Sequence, residues 1–282
     1  MMSKTLVILL TGVSVASASP ALLGRATSDP SAFAALQRSA ELSSAAYTGC
    51  TGTAFDVTIT LQINDAETDT QGFIGYSTTE ETITVAMRGS TTVTDILNDI
   101  DTTLVTPTLS GVTFPSGVQI MNGIYSPWSS VHDTVIAEVA ALIEEYPDYT
   151  LESTGHSLGG SLTYLSYIAL AQNFPDKEIT STALAAFPIG NSEFAAFGTS
   201  ISGTLKRGNN ELDGVPNMYV SAPEDFVHYG TEYYSYGTEA TCLLCSGERD
   251  TSCSAGNGLV GVTIGHFSSF GIEMGYAGCT TL

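Results

Sequence analysis

The segment Gly155-His156-Ser157-Leu158-Gly159-Gly160 constrains this chain more than any other, because of what flanks it. Tyr149 to Ser153 reads as a short strand. From Leu158 to about Asn173 the residues are apolar on most faces, as in a buried helix. A serine in a G-x-S-x-G turn between a strand and a helix is held at strained backbone angles. Its hydroxyl projects at a helix N-terminus, where the helix dipole favours developing negative charge. Gly155 and Gly159 suit that turn, since a side chain at either would collide with the neighbouring strand or helix. Ser157 is therefore the nucleophile candidate, and the chain needs a sheet with a helix packed behind it.

The rest of the sequence supplies such a frame. Ser28-Asp29-Pro30-Ser31 reads as a helix start, and helical spacing continues to Tyr47. Val57–Leu61 and Thr82–Met87 alternate as strands. A long helix is expected over Ser129–Glu145, with Val131, Val135, Val139 and Ile143 on one stripe. Ile179–Ala185 and Asn217–Ser221 read as further strands. Helices alternating with apolar strands imply an α/β class with a mostly parallel sheet, and nothing resembles a linker, so a single domain is expected.

Met1-Met2-Ser3-Lys4, the apolar run Leu6–Val15 and the small residues Ala16-Ser17-Ala18 read as a signal peptide over residues 1–18. A short pro-segment over 19–27 and a folded domain over 28–282 follow. No later run is long enough for a transmembrane anchor, so an exported, extracellular protein is expected. Export makes the five cysteines readable as disulfides with one left over. Cys50 and Cys279 lie near the two ends, while Cys242, Cys245 and Cys253 cluster, and one bridge is expected within that cluster.

With 8 Lys and Arg against 29 Asp and Glu, the formal net charge is −21, which repels polyanions and excludes a nucleic-acid partner. The acidic residues read as a solubilising surface or as adaptation to acidic surroundings. Four scattered histidines form no metal constellation, and no cofactor is expected.

A serine hydroxyl needs a base, and histidine is the usual one. His156 adjoins Ser157 in the sharp turn, which points it elsewhere. His132 precedes the serine, against the Ser…acid…His order that goes with this turn. Of His228 and His266, His266 is the better placed, on a loop before the C-terminal segment. The acid is expected just beyond a late strand. After Asn217–Ser221 come Glu224 and Asp225, with Asp225 preferred and Glu224 second. Two donors are needed for a developing oxyanion. The Leu158 N–H is fixed by the turn, and Ser90 follows the strand Thr82–Met87 at the right place. Beyond it, Val93, Ile96, Leu97 and Ile100 fall on one helical face, which either packs on the core or forms a lid with an apolar underside.

Several segments together resemble the fungal class 3 lipases and their feruloyl esterase relatives: Met87-Arg88-Gly89-Ser90, Gly123 to Trp128, Gly155 to Gly160, Phe187 to Phe194, Glu224 to Val227, and His266 to Gly271. The resemblance implies an α/β-hydrolase fold and a triad of Ser157, Asp225 and His266. It also implies Ser90 and Leu158 as oxyanion donors, a Cys50–Cys279 bridge and, locally, Cys245–Cys253. The chain departs from the family pattern at Met121, where histidine is usual, and after Val227, where the usual prolines are missing. The implied activity is that of a monomeric triacylglycerol lipase at an oil–water interface. The alternatives are a feruloyl or other soluble-ester carboxylesterase and a non-catalytic lipid-binding protein.

Overall fold

The computed structural model describes residues 25–91, 99–277 and 279. The expected signal peptide and residues 19–24 of the pro-segment lie outside these residues, as do Val93, Ile96 and Leu97 of the amphipathic face. Ile100 is described and is half-buried.

The central sheet has ten strands. In chain order they are β1 (Thr27–Ser28), β2 (Thr53–Ala54), β3 (Val57–Asp65), β4 (Thr70–Ser77) and β5 (Thr82–Met87), then β8 (Thr150–His156), β9 (Ile179–Leu184), β10 (Thr204–Asn210), β11 (Thr231–Ser235) and β12 (Leu243–Leu244). Two small ribbons complete the set, β6 (Leu104–Val105) with β7 (Ile120–Met121), and β13 (Ser268–Ser269) with β14 (Ile272–Glu273). The sheet order is β1-β12-β11-β10-β9-β8-β5-β4-β3-β2. Its centre, β5-β8-β9-β10-β11, is parallel, and both flanks are antiparallel.

Helices cover both faces. They are α1 (Phe33–Thr48), α2 (Asn122–Glu145), α3 (Leu158–Asn173) and α4 (Ser192–Ser200). Successive strand residues point to opposite faces, and the core divides accordingly. Phe73 and Ala86 meet Leu42 and Ala45 of α1. Their neighbours Ile74, Val85 and Met87 meet Val135 and Val139 of α2 and Leu162 and Leu165 of α3. Every residue of α3 from Gly159 to Leu170 is buried, as its all-round apolar sequence requires.

Two elements differ from the sequence reading. The long helix begins at Asn122 and carries Pro127 in its second turn, where the missing N–H costs one helical bond. Asn217–Ser221 is not a strand. The chain there makes a 3₁₀ turn over Val215–Asn217 and continues irregularly, while the strand in that part of the sheet is β10. The sequence of β10, Thr-Leu-Lys-Arg-Gly-Asn-Asn, hides it, since five of its seven residues are polar. Burial is possible because Arg207 and Asn209 both reach the buried Glu232 carboxylate on β11, at 3.5 and 2.9 Å. A charge or amide paired in this way can enter a core that would otherwise exclude it.

Disulfides join Cys50 to Cys279 and Cys245 to Cys253, and Cys242 is free and buried. The cluster of Glu232, Cys245 and Cys253 has metal-type ligands, but both sulfurs are consumed in the bridge and the carboxylate by Asn209 and Ser254.

Candidate active site

The site is assembled where parallel strands end. β8 runs into Ser157, whose backbone sits at φ 61°, ψ −125°, outside the ordinary regions for a non-glycine residue. α3 starts at the next residue. A Cβ on Gly155 would overlap the carbonyl of Gly159, and one on Gly159 would overlap the carbonyl of Met87. The turn is thus as tight as backbone contact allows, and the strain at Ser157 is held by packing on both sides.

His266 lies in a 3₁₀ turn, Ile264–Phe267, and is fully buried. Its Nε2 is 2.9 Å from Ser157 Oγ, and its Nδ1 is 3.1 Å from both carboxylate oxygens of Asp213. With the proton on Nδ1 donated to that carboxylate, Nε2 keeps its lone pair for the serine hydroxyl. Asp213 itself is fully buried, and its Oδ1 also accepts the N–H of Val215 at 2.9 Å. It stands three residues beyond the end of β10, in the turn that leads to Pro216.

The acid facing His266 is therefore Asp213 and not Asp225. Asp225 is exposed on a loop, with φ 48° and its N–H bonded to the carbonyl of Ser221, and Glu224 beside it is half-buried. The rule that the acid follows a late strand holds, but the strand is β10. The departure from the family pattern after Val227 disappears at the same time, since a proline does follow Asp213. His228 is occupied elsewhere, with its Nε2 2.8 Å from the carbonyl of Pro216 and its Nδ1 2.9 Å from Tyr164 Oη. His132 bonds the carbonyl of Ser110.

Ser90 and Leu158 line one small recess of about 70 Å³. The N–H of Ser157 is taken by the carbonyl of Leu184, 3.0 Å away, so it cannot serve as an oxyanion donor. The N–H of Leu158 opens α3 and has no partner within the helix. The loop carrying Ser90 is fixed from behind, where Arg88 donates its backbone N–H to Gln71 and its guanidinium to Gln71 and Asp69.

Residues 84–222 match the family model for lipase (class 3). The chain is 64% identical over 274 residues to a secreted alkaline triacylglycerol lipase of Penicillium cyclopium, covering 96% of each sequence. The chain belongs to the class 3 lipase family. A crystal structure of a triacylglycerol lipase from Penicillium expansum, 64% identical, superposes on this lipase with a TM-score of 0.90 over 91% of this chain and 100% of that one. Another solved triacylglycerol lipase, described as having a serine protease triad as its catalytic centre, is 25% identical with a TM-score of 0.78, over 89% of this chain and 98% of that one. This class 3 lipase is a serine ester hydrolase on an α/β-hydrolase fold, as its sequence implied.

The lipase keeps a second histidine against the first. The ring of His156 lies 4.6 Å from that of His266, and its Nδ1 is 3.1 Å from Tyr47 Oη. Burial, and then the nearby His266, hold the proton affinity of His156 well below the ordinary histidine range. A neutral His156 places no charge against the His266 ring on which it packs. Burial likewise depresses His228.

Both effects carry a stability consequence. The native state refuses two protons that the unfolded chain accepts below about pH 6.5. Stability should accordingly fall as pH drops through that value, by roughly 1.4 kcal/mol per pH unit for each histidine. Urea unfolding between pH 8 and 5 measures this directly. A decline beginning near pH 6.5, made shallower by His228→Asn, is expected, and a flat profile down to pH 5 contradicts it.

Proposed function

We propose that this protein is a secreted triacylglycerol lipase, working as a single chain at an oil–water interface through an acyl-enzyme on Ser157. The observation that carries the reading is the continuous chain Ser157–His266–Asp213, supplied by one polypeptide. Ser157 Oγ attacks the ester carbonyl as His266 Nε2 takes its proton, and Asp213 holds the imidazole in orientation and stabilises its positive form. Negative charge on the carbonyl oxygen is met by the N–H groups of Leu158 and Ser90. His266 returns the proton to the leaving alcohol, then activates the water that releases the fatty acid.

The interface is supported by the rim of the site. Among the described residues the exposed large apolar side chains are Leu212, Tyr236, Val260, Ile264, Phe267 and Tyr276. All but Tyr236 gather around the His266 turn. The carbonyl of Leu212 accepts the N–H of Gly265, Val260 lies against Gly214, and Phe267 and Tyr276 border one cavity with His266. Apolar surface concentrated at a catalytic mouth suits a lipid phase. The net charge of −21 favours an uncharged lipid over an anionic one. Among the described residues no helix is long and apolar enough to cross a membrane.

Hydrolysis of p-nitrophenyl esters from two to eighteen carbons, together with emulsified triacylglycerol, tests the reading. Long-chain cleavage that rises once substrate exceeds its solubility is expected. Activity confined to short or aromatic soluble esters would move the protein to the carboxylesterases, and binding without turnover would make it a lipid-binding protein.

A further inference from the structure

We propose that the cavity on the flank of His266, walled by Tyr47, Thr91, Phe267, Met274 and Tyr276, is the site for the alcohol half of the ester. This rests on the lipase reading above. The tetrahedral carbon formed at Ser157 has four substituents whose directions are set by the site. One bond goes to Ser157 Oγ, and the oxyanion points to the N–H groups of Leu158 and Ser90. The leaving oxygen must sit at His266 Nε2, because that nitrogen protonates it. The acyl chain takes the direction that remains. The cavity borders His266 and Ser90 but is not lined by Leu158, which lines the separate recess with Ser90, so on this reading it takes the alcohol leaving from His266 and not the acyl chain.

Its size and walls fit that role. The space is about 370 Å³, enough for a glyceryl unit and the first carbons of an attached chain. Phe267 and Tyr276 form an aromatic edge, 51% and 83% exposed, that continues into the apolar rim. The outer wall, Met274 to Ala277, is held in place from three directions. Ser44 Oγ on α1 accepts the N–H groups of Gly275 and Ala277, at 2.9 and 3.1 Å, and donates to the carbonyl of Glu273. Met274 donates its N–H to the carbonyl of Phe267 at 3.0 Å. Cys279, a few residues on, is bonded to Cys50 at the end of α1. A fixed wall of this kind can discriminate between alcohols, whereas a floppy one would accommodate any.

The test uses esters that share one acyl group: methyl octanoate, benzyl octanoate and trioctanoin. All three give the same octanoyl-enzyme, so differences in kcat/KM arise in acylation and report the alcohol. Met274→Trp, which fills the cavity, is expected to lower kcat/KM for trioctanoin and benzyl octanoate about tenfold or more while methyl octanoate stays within about threefold. Tyr276→Ala, at an exposed position, is expected to lower the two bulky esters about threefold and the methyl ester by less. Equal losses on all three esters in both variants overturn the assignment. So does a changed chain-length preference among methyl esters, which would place the residues on the acyl side. If the wild type cleaves methyl and benzyl octanoate but not trioctanoin, the lipase reading fails, and the benzyl-to-methyl ratio still decides the cavity.

Discussion

Asp213→Asn is expected to lower kcat by about 10⁴-fold while Asp225→Asn leaves it within about twofold. The asymmetry follows from where each carboxylate lies. Asp213 is fully buried with both oxygens 3.1 Å from His266 Nδ1, so an amide there turns an N–H toward that nitrogen and favours the tautomer with its proton on Nε2. That tautomer cannot accept the proton of Ser157. Substrate binding is largely untouched, so the loss belongs in kcat, with KM nearly constant. Asp225 is exposed and outside hydrogen-bond reach of His266, so losing its charge changes only a surface loop. Full activity of Asp213→Asn on p-nitrophenyl esters, or a comparable loss in Asp225→Asn, would place the acid elsewhere.

Ser157→Ala is expected to cost more, about a millionfold in kcat, because it removes the atom that forms the covalent intermediate. His266→Ala should fall to a similar level, and the double variant should be no worse than either. Groups that act as one unit lose nearly everything at the first deletion. If the two single losses instead multiplied in the double variant, Ser157 and His266 would be contributing independently. The 2.9 Å contact between them would then not be the proton path. The elbow should survive Ser157→Ala, since Gly155, Gly159 and the Leu184 carbonyl hold the turn, so melting temperature should change little.

Legibility of the site in the sequence followed the local character of each signal. Ser157 was fully readable, because the turn needs its glycines, its strand and its buried helix all within a short stretch. His266 followed by elimination among four histidines, and the other three are each engaged as structural partners. The acid was misplaced because it depends on recognising β10. Arg207 and Asn209 give that strand the look of a loop, and only the fold reveals that Glu232, 25 residues beyond Arg207, neutralises Arg207 and accepts a hydrogen bond from Asn209. Met218, Tyr219 and Val220 drew the strand assignment to themselves as a short apolar run, yet Tyr219 spends its ring on Phe187 in an irregular segment. A signal for Asp213 did exist. Asp-Gly-Val-Pro carries an acidic residue whose side chain can accept the N–H two residues on at the start of a proline-containing turn, as Asp213 accepts that of Val215.

The fold was readable at the same level. β4 escaped notice because Gly72 and Gly75 interrupt its apolar pattern. A Cβ at Gly72 would overlap the carbonyl of Ala86 on β5, so close strand packing there requires what composition alone reads as a turn. The two disulfides matched the pairing implied by family resemblance, and neither could have been chosen from spacing alone, since clustered cysteines admit several pairings.

The central claim is that one serine, activated through His266 by Asp213, attacks the ester. The most direct measurement is the rate and site of labelling by an alkyl p-nitrophenyl phosphonate, followed by intact mass and peptide mapping. The account predicts one adduct per chain, on Ser157, formed at wild-type rate in Asp225→Asn and slowed by orders of magnitude in Asp213→Asn. An adduct on another residue, or slow labelling in Asp225→Asn with normal labelling in Asp213→Asn, would contradict it.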